Sequence, residues 1–76
     1  MKLVKWLKAQ QTKMGLNDQD FAALVGITQP TWSRLQSGER RPGISVIRAV
    51  VAAFPDERYP ILDMAIFDIT EETQVA

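Results

Sequence analysis

With 76 residues and neither cysteine nor histidine, the chain is one small domain without disulfides, zinc sites built on thiolate or imidazole, or cysteine- and histidine-dependent nucleophiles. Nine basic residues balance nine acidic ones, and a formal net charge of zero taken alone argues against a polyanionic partner. No apolar run approaches the roughly 20 residues of a membrane span, and MKLVKWLKAQ lacks the uninterrupted apolar core of a signal peptide, so a soluble cytoplasmic protein is expected.

In chain order, Leu3, Leu7 and Met14 recur at helical spacing, with Val4 and Gln11 at the edge of that face and Lys5 and Lys8 pointing away. This predicts a first helix over residues 2–14, ended by Gly15. Asn17 can cap a second helix, and Asp18 and Asp20 in its first turn suit the positive end of its dipole. Phe21 and Val25, four apart, form its inner face, and the small Ala22 lets another helix approach closely. Gly26 can take the left-handed backbone that ends this helix sharply.

Thr28 can cap a third helix over residues 29–37, and Pro30 in its first turn loses no hydrogen bond. Trp32 and Leu35, three apart, face inward, Trp32 as core and not as a base-stacking platform. Gly38 stops the helix, and the basic loop E-R-R-P-G is kept non-helical by Pro42 and Gly43. Two short helices that must cross at a fixed angle make a helix-turn-helix, whose second helix is built to lie in a DNA groove.

A fourth helix follows with an inner stripe of Ile44, Ile47, Val50, Val51 and Phe54. Residues 1–54 therefore form the core unit, and the two-proline connector PDERYP opens a C-terminal segment, 55–76. There Ile61, Leu62, Ala65, Ile66 and Ile69 make one helical stripe, although AIFDIT is also rich enough in β-branched and aromatic residues for a short strand. Phe67 falls almost opposite that stripe with Met64 to one side, a second apolar facet read as a dimerisation surface. The last residues, ETQVA, are expected to be frayed.

Charge is segregated along the chain. Residues 1–53 hold eight basic residues against three acidic ones, a net +5, and residues 54–76 hold one against six, a net −5. A basic body with an acidic tail suits phosphate binding on one side and another task for the C-terminus.

Together, GLNDQDFAALVGITQPTWSRLQSGERRP resembles the phage repressor and Cro family of helix-turn-helix proteins. The likeness spans residues 3–54 and includes the spacing, Ala22, the turn Gly26 and the terminating Gly38. It implies an all-α, lambda-repressor-like fold of four or five helices that binds a double-stranded operator as a homodimer, in a bacterial or phage-infected cytoplasm. Two departures carry information. Where the family commonly joins Arg in the first helix to Glu near the end of the third, this chain has Gln11 and Gln36, which suggests two amides bonded to each other. Where the family often has a Gln that donates to phosphate, this chain has Asp18, expected to stabilise its helix and to weaken DNA binding.

Gln29 is the leading candidate for base contact, since a Gln amide pairs with adenine through both its groups and the position matches the family's reading position. Ser33 follows by the same carry-over, Arg34 suits either a guanine or a phosphate, and Thr31 and the ring of Pro30 can touch a thymine methyl. Phosphate candidates are Asn17 with the free helix amides, Ser37, Arg40 and Arg41, with longer-range attraction from Lys8 and Lys13 and a trimming effect of Glu39. The expected function is a small Cro-like repressor. The rivals are the antitoxin of a toxin–antitoxin pair and a protein adaptor that has lost DNA binding. No enzymatic activity, cofactor, metal, membrane or small-molecule ligand is expected, because the sequence offers no paired-carboxylate site and no glycine-rich phosphate loop.

Overall fold

Helix capping fixes the order of elements, because each stop signal in the sequence is used as one. In the computed structural model, α1 (Lys2–Met14), α2 (Asp18–Val25), α3 (Gln29–Ser37) and α4 (Ile44–Ala53) are followed by a 3-10 turn (Pro55–Glu57) and α5 (Arg58–Val75). The structure describes residues 1–75, with side chains through residue 70. Among them there is no strand, so the fold is all-α, and AIFDIT is helical. Where a frayed tail was expected, α5 runs on to Val75; Ala76 lies outside the described residues. No helix among the described residues is long and apolar enough to cross a membrane.

The core joins Leu3 and Leu7 of α1, Phe21, Ala22 and Val25 of α2, Trp32 and Leu35 of α3, Val46 and Val50 of α4, and Ile61 and Ala65 of α5. Phe21 and Trp32 meet with ring centroids 5.1 Å apart, and Trp6 stands edge-on to Phe54 at 5.2 Å. Aromatic pairs of this kind add about 0.5–1.5 kcal/mol each beyond the area they bury.

Three expected stripes are turned from their predicted positions. On α1 the buried face continues through Gln11, while Met14 is exposed at the helix end. On α4 Val46 is buried and Ile44 is 73% exposed. Two residues subtend about 200° of a helix, so both cannot face inward. On α5 the inward positions are Ile61, Met64, Ala65 and Asp68, at the i, i+3, i+4, i+7 spacing of one face. Leu62, Ile66 and Ile69, expected inside, are exposed.

Met64 accordingly packs against the protein's own core, where an outward, dimerising role was expected. Phe67 is partly exposed and carries the Lys2 ammonium 3.7 Å from its ring centroid, a cation–π contact within the chain.

The start of α1 depends on α5. Met1 at the N-cap gives no side-chain cap, and the Asp68 carboxylate takes that role across the fold. Its Oδ1 accepts from the Lys2 backbone N–H at 2.9 Å and its Oδ2 from that of Leu3 at 3.1 Å. A carboxylate on two free amides at a helix N-terminus also opposes the positive end of the dipole.

Candidate nucleic-acid interface

Residues 26–28 turn the chain from α2 into α3, and each has a defined task. Gly26 has φ 87°, and its N–H is shared between the carbonyls of Ala22 and Ala23, while Ile27 N–H also returns to Ala22. A Cβ at Gly26 would meet only the Ala49 Cβ at 3.9 Å, an ordinary contact, so backbone angle and not space requires the glycine. Thr28 then caps α3: its Oγ1 accepts from the Thr31 N–H at 3.2 Å, and its hydroxyl donates to the Thr31 hydroxyl at 2.8 Å.

Burial of Trp32 and Leu35 sets the roll of α3 and leaves Gln29, Pro30, Ser33 and Arg34 exposed along its outer edge. Three of the four residues expected to read bases, Gln29, Ser33 and Arg34, are therefore on one accessible strip. Thr31 is displaced from it. It is half-buried, tied to Thr28, and lines a shallow groove with Ile27, Arg40 and Ser45.

Beneath this strip lies a polar cluster that joins α1, α2 and α3. The buried Gln11 accepts at Oε1 from the Trp32 indole N–H at 3.2 Å and from Lys8 Nζ at 3.3 Å. Its Nε2 donates to the Leu16 carbonyl at 3.2 Å and to Asp18 Oδ1 at 2.7 Å. Gln36 Nε2 donates to the same Asp18 oxygen at 3.4 Å, and Lys8 Nζ donates to Gln36 Oε1 at 2.9 Å.

The two glutamines thus do not pair with each other as expected. They converge on a carboxylate, because two amide NH2 groups can share one anionic acceptor. Among the described residues, no buried side-chain N or O lacks a partner. The hydrogen bond from Gln11 holds the Asp18 carboxyl below its ordinary pKa of 3.8, helped by Gln36, Lys8 and Trp32 and opposed by partial desolvation. Asp18 is a junction between three helices as well as a dipole partner.

The phosphate candidates separate. Asn17 uses Oδ1 to accept from the Asp20 N–H at 2.7 Å, which leaves its amide NH2 without a partner among the described residues and able to donate. Ser37 donates its hydroxyl to the Arg34 carbonyl at 3.1 Å and accepts from the Glu39 N–H, so its proton is engaged in closing α3. The Arg40 N–H returns to the Arg34 carbonyl, fixing the loop on the end of α3, and its side chain borders the groove beside Thr31. Arg41 borders a different cleft, with Met1, Ile47 and Ile69, so the two arginines diverge. Lys8, expected to point away, is occupied by the glutamines.

Sequence reasoning missed the roles of Asp18 and Asp68 as acceptors across the fold. The signal for Asp68 was its place seven residues after Ile61, on the inward face of α5, where an acid demands a partner. Comparison with known protein families, curated proteins and solved structures finds no match to this chain.

Proposed function

We propose that the chain is a sequence-specific DNA-binding regulator, a Cro-like helix-turn-helix repressor that binds a double-stranded operator as a homodimer. The observation that carries this reading is the outer strip of α3, with Gln29, Ser33 and Arg34 exposed while Trp32 and Leu35 lock the opposite face into the core. An α-helix is about 10–12 Å across and the major groove about 12 Å wide, so such a strip can meet base edges directly. Gln suits adenine and Arg suits guanine through paired hydrogen bonds. The Asn17 amide at the start of α2 and Arg40 in the loop after α3 supply phosphate donors, and the net +5 of residues 1–53 supplies the wider attraction.

In this reading the regulator acts by occluding a promoter, on DNA in the cytoplasm. Selection of bound sequences from a random duplex pool tests it. A palindrome with half-sites about one helical turn apart is expected. With six to eight phosphates neutralised by the dimer, the log–log salt slope is expected at roughly −5 to −7. Absence of binding to any duplex at low salt would favour the adaptor on the same fold. The antitoxin reading is favoured by one observation, the exposed apolar side chains of α5, and would require a toxin partner seated on them.

A further inference from the structure

Lys8 Nζ donates to the side-chain oxygens of two glutamines, Gln36 at 2.9 Å and Gln11 at 3.3 Å. Both amide NH2 groups donate in turn to one oxygen of Asp18, Gln11 at 2.7 Å and Gln36 at 3.4 Å. Four side chains thus close a ring in which each amide lies between a cation and an anion. An ammonium only donates and a carboxylate only accepts, so the two ends leave each amide a single orientation. For Gln11 that orientation has a consequence. With its oxygen toward Lys8 it also accepts from the Trp32 indole N–H at 3.2 Å. Turned over, it would set an NH2 group against that N–H, and two donors cannot bond. Trp32 is fully buried, so its N–H has no water to turn to.

Lys8 therefore reaches α3 at two places, Gln36 directly and Trp32 through Gln11. These two residues are four apart, on one row of the helix. Gln29 and Ser33, both exposed, stand three residues before them on the neighbouring row. Holding the first row fixes the second. We propose that Lys8 is the positioning residue of the reading strip, acting through the two amides and not on DNA. That role rests on the DNA-binding reading of α3, and it replaces the long-range attraction expected of Lys8. Without Lys8 both amides are free to turn, the indole loses its fixed acceptor, and α3 can shift about its axis. Base discrimination then falls while the number of neutralised phosphates stays the same. A lysine that bound phosphate would give the reverse.

Lys8→Met in the full chain separates the two roles, with circular dichroism to check folding. The ratio of affinities for the selected operator and for random duplex is expected to fall about tenfold, within the range of one base contact. The salt slope should not change. Lys8→Arg keeps the charge and several donors and should keep most of the ratio, as should Lys5→Met, three residues earlier on α1. An equal loss on all duplexes, with the slope lower by about one unit, makes Lys8 a phosphate ligand and overturns the proposal. Gln36→Leu removes one arm of the ring without a change of charge and is expected to lower the ratio likewise. A ratio indifferent to both variants also overturns the proposal. In the absence of DNA, hydrogen exchange of the Trp32 indole N–H followed by NMR reports on the ring itself. It is expected to be about tenfold faster in Lys8→Met than in the wild type, and unchanged exchange overturns the proposal. A wild-type chain that binds no duplex, while its indole still responds to Lys8→Met, overturns the DNA-binding reading and leaves Lys8 as the residue that positions α3.

Discussion

The indole N–H of Trp32 donates to Oε1 of Gln11 across 3.2 Å, with both side chains buried, and so ties the roll of α3 to α1. Gln11→Ala removes that acceptor and one donor to Asp18 together, and leaves a buried indole N–H unpaired. A loss of about 1–3 kcal/mol is expected for such a group. Trp32→Ala also empties the centre of the core and is expected to cost about 3–5 kcal/mol. Urea unfolding of the two variants checks both magnitudes and their order.

Asp18 gives a pH signature. Its folded carboxyl titrates below its ordinary value, chiefly because of the Gln11 hydrogen bond, so it favours the folded state wherever it is ionised. That contribution is complete above the ordinary value of 3.8 and is lost as the pH falls below it through the folded value. Asp18→Asn does not titrate. The stability gap between wild type and this variant should be widest near neutrality and close on acidification, as followed by denaturant midpoints at successive pH values. A gap independent of pH would show that the carboxylate is not the shared acceptor.

The same residue sets two effects against each other. Asp18→Gln removes a negative charge from the residue next to Asn17, a proposed phosphate donor, and should tighten DNA binding. It also removes the anionic acceptor of Gln11 and Gln36, so the melting temperature should fall. Calorimetry and a duplex-binding titration on one sample separate the two. Weaker binding by a folded variant contradicts the assignment.

Asp68 is expected to act locally. Asp68→Ala uncaps the Lys2 and Leu3 amides and should cost about 0.5–2 kcal/mol, the range for removal of a helix cap. Hydrogen exchange should speed up most in the first turn of α1 and least in α3.

On DNA, the exposed strip predicts a division of labour. Gln29→Ala should relax preference at one base pair in each half-site, a discrimination of about 1–3 kcal/mol. Arg40→Ala should weaken binding to all sequences alike and flatten the salt slope by about one unit for each phosphate it ceases to neutralise. Competition titrations against single-site operator variants at two salt concentrations distinguish these outcomes.

Local signals were legible because they act over a few residues. Asn17 and Thr28 cap the helices that follow them, and Gly15, Gly26 and Gly38 end those that precede them. Each works through backbone geometry that its own residue type dictates. The pair Trp32 and Leu35 likewise announced which side of α3 is hidden, and with it the strip that begins at Gln29. On α5 periodicity was less informative. Apolar residues lie nearly all round the helix, so several stripes fit the pattern equally well.

By itself, then, the sequence determined α1, α2 and α3, their ends and the outward edge of α3, since propensity, capping and one strong apolar face are properties of neighbouring residues. Only the tertiary structure decided that Gln11 and Gln36 meet on Asp18, that Asp68 caps α1, and that Leu62, Ile66 and Ile69 of α5 face outward. Those outcomes join groups between 7 and 66 residues apart or depend on which face a neighbouring helix covers. Such pairings are set by packing, and a side chain's partner across the fold leaves no mark on its own local pattern.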